Sequence, residues 1–172
     1  MTETDHAAAL TGGCQCGAVR YEIAPAVDQA EAPEAEYAQA HYCHCRMCQR
    51  AVGNVVAVWL AVCGERLRWT AGEPVTYRSS HYLDRTFCRA CGTPLGARYI
   101  PGLKDWEWSE YVGVLVGTLD TPEAVRPGYH YGIESRVPWF DVDDGLPRRR
   151  TDDLPGMKEL WDRAPDQGQD RP

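Results

Sequence analysis

Seven of the eight cysteines in this chain fall into three knots, and that grouping constrains the fold more than any other feature. The first knot is Cys14-x-Cys16. The second, inside the stretch HYCHCRMCQR, is Cys43-x-Cys45-x-x-Cys48, and the third is Cys88-x-x-Cys91. Two thiols one or two residues apart in a turn can aim both sulfurs at one ion, and zinc accepts four such thiolates. Gly12, Gly13 and Gly17 surround the first knot, and Gly92 and Pro94 follow the third, so both sit where the backbone can turn tightly. The opening MTETDHAAAL lacks the basic and apolar regions of a signal peptide, and no apolar run approaches the roughly 20 residues that span a bilayer. A cytoplasmic, reducing address is therefore expected, with no membrane partner. There the cysteines serve as metal ligands or functional thiols and not as four disulfides.

Ligand counting separates the knots. Joining the first to the third completes a tetrathiolate site from Cys14, Cys16, Cys88 and Cys91. Cys43, Cys45 and Cys48 then form a three-ligand set with one coordination position left over, the pattern of a catalytic zinc. A rival pairing of Cys45 and Cys48 with Cys88 and Cys91 makes a zinc ribbon with a long spacer, but it strands Cys43 and the first knot. His41 or His44 offers the second site a fourth ligand that would make it structural, although His44 lies between two ligands and would have to turn back onto their ion. Cys63, alone in WLAVCGE, reads as a small buried hydrophobe.

Around the knots the pattern is mainly antiparallel β. AVRYEI (18–23) alternates, with Val19, Tyr21 and Ile23 on one face, and NVVAVWLAV (54–62) suits a strand covered on both faces. RLRWTA, PVTYRSS, TPLGARYI and SEYVGVLVGTL extend the series, with turn signals at Gly72–Pro74, Gly92, Gly102 and Gly128. Helix is scarce: a turn starts near Arg46, TPEAV (121–125) has Thr121 as N-cap and Pro122 at the first helical position, and LPGMKELWDR (154–163) places Met157, Leu160 and Trp161 on one side. Residues 1–10 and 164–172 read as flexible tails around one domain, 11–163, with 24–36 as an exposed connection. A net charge of -7 disfavours a nucleic-acid partner, and Arg148–Arg150, beside Asp152 and Asp153, reads as a solvated turn.

GGCQCGAVRY, CHCRMCQRAVG, SSHYLDRTFCRACGTPL, GTLDTPEAVRP and HYGIESRVPWFDVDDGLP follow one another in an order that resembles the glutathione-dependent formaldehyde-activating (GFA) / centromere protein V family. The resemblance spans residues 11 to 156. It implies a β-tent fold of twisted antiparallel sheets stapled by zinc, with a few short helices. It also implies a structural zinc on Cys14, Cys16, Cys88 and Cys91 and a second centre on Cys43, Cys45 and Cys48. The implied activity is that of a carbon–sulfur lyase, joining glutathione as co-substrate to formaldehyde as S-hydroxymethylglutathione.

The charge of the second site fits sulfur chemistry independently of the resemblance. Zinc with three thiolates carries about -1 and is a weak Lewis acid towards water, yet it suits another sulfur held as thiolate. The expected small-molecule partner is a thiol or thiol adduct. Arg46 and Arg50, in the same turn, are candidates for its carboxylates, or else solvated surface residues. His130 and Trp139, in the family-like motifs, are candidates to line the cleft, although Trp139 equally suits packing beside Pro138. A zinc-stapled binding module without turnover is the alternative, with exposed aromatics from the Trp106-Glu107-Trp108 run as its surface.

Overall fold

The computed structural model describes residues 8–25, 40–100, 110–153 and 156–157. In chain order the strands are β1 (Leu10–Gly13), β2 (Arg20–Ile23), β3 (His41–Cys43), β4 (Ala57–Cys63), β5 (Leu67–Ala71), β6 (Val75–Arg78), β7 (Leu83–Phe87), β8 (Pro94–Tyr99), β9 (Tyr111–Leu115), β10 (Tyr129–Tyr131) and β11 (Arg148–Arg149). A short helix, α1 (Arg46–Val52), lies between β3 and β4. The fold is mainly β, built from a three-stranded sheet, β1-β2-β5, and an eight-stranded sheet, β11-β10-β3-β4-β9-β8-β7-β6. No helix among the described residues is long and apolar enough to cross a membrane.

The alternation in residues 18–23 builds the core. Val19, Tyr21 and Ile23 are all buried and pack against Val62, Leu95 and Val114 of the larger sheet and against Leu119. Burying a side chain of this size contributes roughly 1.5–3 kcal/mol. β4 is covered on both faces, as its unbroken apolar run requires. A second cluster holds Cys43, Cys45 and Cys48 against Ala57, Trp59 and Leu115.

The antiparallel expectation holds for every strand pair of the described residues except β3–β10 and β10–β11, which are parallel. Parallel pairing needs a long connection, and β3 and β10 are separated by most of the larger sheet. The run 109–119 does not stay extended throughout. β9 stops at Leu115, whose carbonyl accepts the Thr118 hydroxyl at 2.7 Å, and a 3-10 turn, Val116–Thr118, follows. TPEAV gives only a 3-10 turn, Pro122–Ala124, without a Thr121 side-chain cap, because Val125 returns to extended backbone to pack on the core. Leu10, placed in the tail by sequence, begins β1. The predicted helix at 154–163 lies outside the described residues apart from Gly156 and Met157, and so do most of both tails, the connection at 24–36 and the Trp106-Glu107-Trp108 run.

Candidate metal centres and the adjoining cavity

All eight cysteines are free thiols, and seven gather in two clusters. Cys14 and Cys16 lie in the turn between β1 and β2, and Cys88 and Cys91 in the turn between β7 and β8. Gly17 and Gly92 take φ of +77° and +74°, and their N–H groups close the two turns on the carbonyls of Cys14 and Cys88. The sulfurs of Cys14 and Cys16 are 3.5 Å apart, and those of Cys16 and Cys88 are 3.8 Å apart. Zinc–sulfur bonds of about 2.3 Å in a tetrahedron place sulfurs roughly 3.8 Å from one another, so the donor set fits the ion. Cys14 Sγ also accepts the Val19 N–H at 3.2 Å. The Thr93 hydroxyl, 3.1 Å from Cys91 Sγ, heads the contacts that bring that thiol down to about 5. Cys16 is pushed up to about 12, the Ala18 backbone N–H being outweighed by proton sharing with Cys91 and Cys14.

The second cluster is Cys43, Cys45 and Cys48, all buried. Cys43 ends β3, Cys45 is the N-cap of α1, and Cys45 Sγ accepts the Cys48 N–H at 3.4 Å. That capped first turn folds Cys48 back towards Cys45 and leaves the Cys43 and Cys45 sulfurs 3.5 Å apart. Gly53, with φ of 64°, ends the helix as a left-handed cap. Gln49, buried within α1, locks the knot by donating to the carbonyls of His44 at 2.7 Å and Ser135 at 3.0 Å. Hydrogen bonds from Cys43 and Cys45, together with Arg85, hold Cys48 well below the ordinary thiol range. Cys43 is raised well above it by its bonds to Cys45 and Cys48 and by burial. A divalent ion bound by the three sulfurs would displace their protons.

Neither histidine of the stretch joins the sulfurs. An extended chain sends successive side chains to opposite faces, so His44 points away from Cys43 and Cys45. Its Nε2 lies 2.8 Å from His130 Nδ1, and His130 Nε2 lies 2.9 Å from Asp144 Oδ2. Burial brings His44 down to about 4. The same alternation places His130, 1% exposed, behind β10 and not on the cleft wall that it was expected to line. His41 does face the cleft, stacked on Tyr129 with ring centroids 5.0 Å apart.

A cavity of about 150 Å³ opens beside this cluster. Its walls include Cys43, Cys45, Cys48, Trp59, Tyr131 and Arg85. Arg46 and Arg50 lie on the exposed side of α1, and Arg46 is bound to the Gln49 side chain, so neither lines the cavity. Trp139 is 75% exposed with its ring edge-on to Phe140, which sets aside the packed alternative for it and also places it away from the cavity. Cys63 is half-buried opposite Tyr111 and belongs to neither cluster. Arg85 and Gln49 were missed from sequence. Arg85 left a signal, a cation on the inward face of the alternating LDRTF.

A family model described as glutathione-dependent formaldehyde-activating enzyme matches residues 9–135. Among solved structures, the crystal structure of a Rhodobacter sphaeroides protein is similar at 22% identity, covering 81% of this chain and 98% of that one, with a TM-score of 0.46. No curated protein matches the chain.

Proposed function

The chain belongs to the glutathione-dependent formaldehyde-activating family, and on that premise we propose that it is a zinc-dependent carbon–sulfur lyase-type enzyme. Its substrate is a thiol adduct such as S-hydroxymethylglutathione, and its place of work is a reducing cytoplasm, where free thiols persist. The observation that carries this reading is the meeting of three buried thiols, Cys43, Cys45 and Cys48, on a cavity wall. Among the described residues no fourth cysteine, histidine or carboxylate joins them. Four ligands serve the outer cluster, in keeping with a structural role, and three serve the inner one.

Cys43, Cys45 and Cys48 would hold the zinc ion, which would supply a position for one further sulfur, favoured as thiolate near neutral pH. The protein's own contribution is enclosure. Trp59 and Tyr131 form apolar walls that keep bulk water from the adduct and hold its carbon beside the sulfurs. In the lyase direction the carbon–sulfur bond breaks and its electron pair stays on sulfur. The adduct hydroxyl loses its proton and becomes the carbonyl of the aldehyde.

One observation favours a second reading, a zinc-stapled binding module. Trp139 is the most exposed large apolar side chain among the described residues. Metal content and turnover of S-hydroxymethylglutathione, measured together on Cys45→Ser, separate the two. The lyase reading expects two zinc ions per chain to fall to one, with the fold intact and turnover lost. Unfolding as severe as that of Cys14→Ser, or turnover unchanged with the inner metal gone, rules the lyase reading out.

A further inference from the structure

Arg85 is a buried cation whose counter-charge is not a carboxylate. It follows Leu83 on the inward face of β7 and is 5% exposed. Its Nη2 lies 3.6 Å from Cys48 Sγ, and its guanidinium carbon lies 5.7 Å from the Trp59 ring centroid. No carboxylate of the described residues forms an ion pair with it. A guanidinium is seldom taken out of water without a partner of opposite charge, and here the partner in reach is the Cys48 sulfur.

The two clusters meet their charge in different ways. In the outer one Cys16 and Cys91 are exposed, so water screens whatever net charge four thiolates and a divalent ion carry. In the inner one all three sulfurs are buried beneath aromatic walls, and compensation has to come from the protein. A divalent ion with three thiolates amounts to -1, and Arg85 brings the sum to zero. An anionic ligand entering a neutral centre meets far less repulsion than one entering a buried centre that is already negative.

We propose that Arg85 is the charge-compensating residue of the Cys43/Cys45/Cys48 site, and that its guanidinium lets this buried centre accept the thiolate of a small monothiol as a further ligand. The proposal rests on the reading above that the inner cluster holds a metal. Binding releases the thiol proton to solvent and changes no oxidation state. Arg85 is thus a positioning residue that acts through the sulfurs, selecting an anionic ligand over a neutral one.

Cobalt-loaded full-length protein tests this, because sulfur-to-cobalt charge-transfer bands report ligands entering the inner site. The outer site, saturated by four protein sulfurs, does not respond to added thiol. The probes are 2-mercaptoethanol, which enters as an anion, and imidazole, which enters neutral. Arg85→Met is expected to weaken 2-mercaptoethanol binding by about ten- to a hundredfold, the scale of one close charge pair, and to leave imidazole binding within about threefold. Arg85→Lys, which keeps the charge but not the fork, is expected to stay within about threefold of wild type for both probes. Equal weakening of both probes, or equal losses in the Lys and Met variants, overturns the proposal in favour of a packing role. Unchanged thiol affinity in Arg85→Met also overturns it, yet leaves the lyase reading standing, since the wild type still binds thiol. A wild type that binds no thiol overturns both. Should Arg85→Met fail to fold, Arg85→Gln set against Arg85→Lys decides by the same criteria.

Discussion

The sulfurs of Cys16 and Cys88, 72 positions apart in the chain, lie 3.8 Å from each other. That contact joins the β1–β2 turn of the small sheet to the β7–β8 turn of the large one. Cys14 and Cys88 are also members of the main apolar core, so the ligand cluster and the core share residues. A metal at this point is a cross-link between sheets, and its binding free energy is folding free energy.

Cys88→Ser is accordingly expected to abolish metal binding at the outer cluster and to lower Tm by more than about 10 °C, the effect of losing a few kcal/mol in a chain of this size. Scanning calorimetry of the variant, alongside metal analysis, measures this. A variant that melts within two or so degrees of wild type would show that the cluster is no cross-link.

Gly132 supports the inner cluster through its backbone. It has φ of 68°, and a Cβ there would come 3.0 Å from the Cys45 nitrogen and 3.2 Å from the Cys45 Cβ. Gly132→Ala should therefore cost about 1–3 kcal/mol and displace Cys45. Inner-site metal content should drop by half or more while the outer metal stays. Urea denaturation and metal stoichiometry read the two effects separately; full inner occupancy in the variant would refute the packing argument.

The buried pair of His44 and His130 predicts a stability defect. In His130→Ala, His44 Nε2 loses its partner, Asp144 Oδ2 loses the imidazole, and the ring stacked on Tyr42 at 4.7 Å disappears. A loss of about 2–4 kcal/mol in chemical denaturation is expected from an unpaired buried group plus a cavity. Stability unchanged within error would mean that the chain of rings adds nothing to the fold.

Alkaline unfolding should draw in part on Tyr21, one of four phenols, with Tyr82, Tyr99 and Tyr131, that burial pushes up. Burial pushes the Tyr21 phenol from 10.0 up to about 12, with the hydroxyl 2.7 Å from the Thr118 oxygen. Above pH 10 the unfolded chain has released this proton and the folded chain still holds it, so stability falls as pH rises towards 12. Tyr21→Phe gives up one hydrogen bond, about 1 kcal/mol at neutral pH, and should show a shallower decline over the same window. Equal slopes for both proteins in pH-stepped denaturation would exclude Tyr21 from the titrating groups.

The cysteine clusters were legible because ligand spacing is a local property, preserved whatever the fold does between the knots. The pairing of the first knot with the third, rather than of the second with the third, is what the geometry shows. The alternation of β2 and the unbroken apolar run of β4 were equally readable. β3 and β10 were not, since three residues carry no periodicity, and these strands are held by their neighbours in the sheet, β3 between β4 and β10 and β10 between β3 and β11. The same shortness hid the orientation of His130: its motif marked it as notable, while its facing depends on a strand too brief to infer. Arg85 was concealed differently, by an environment assembled from β4, β7 and the α1 turn.

The two clusters also differ in when they can exist. Cys43, Cys45 and Cys48 span six positions and need only one turn of helix to converge, so a growing chain can bring them together soon after residue 48 emerges. The outer set waits until residue 91 is made and a loop of some seventy residues has closed, at an entropy cost that grows with its length. During synthesis the three-thiol site is therefore the earlier competitor for metal, and the four-thiol site records that the sheets have met.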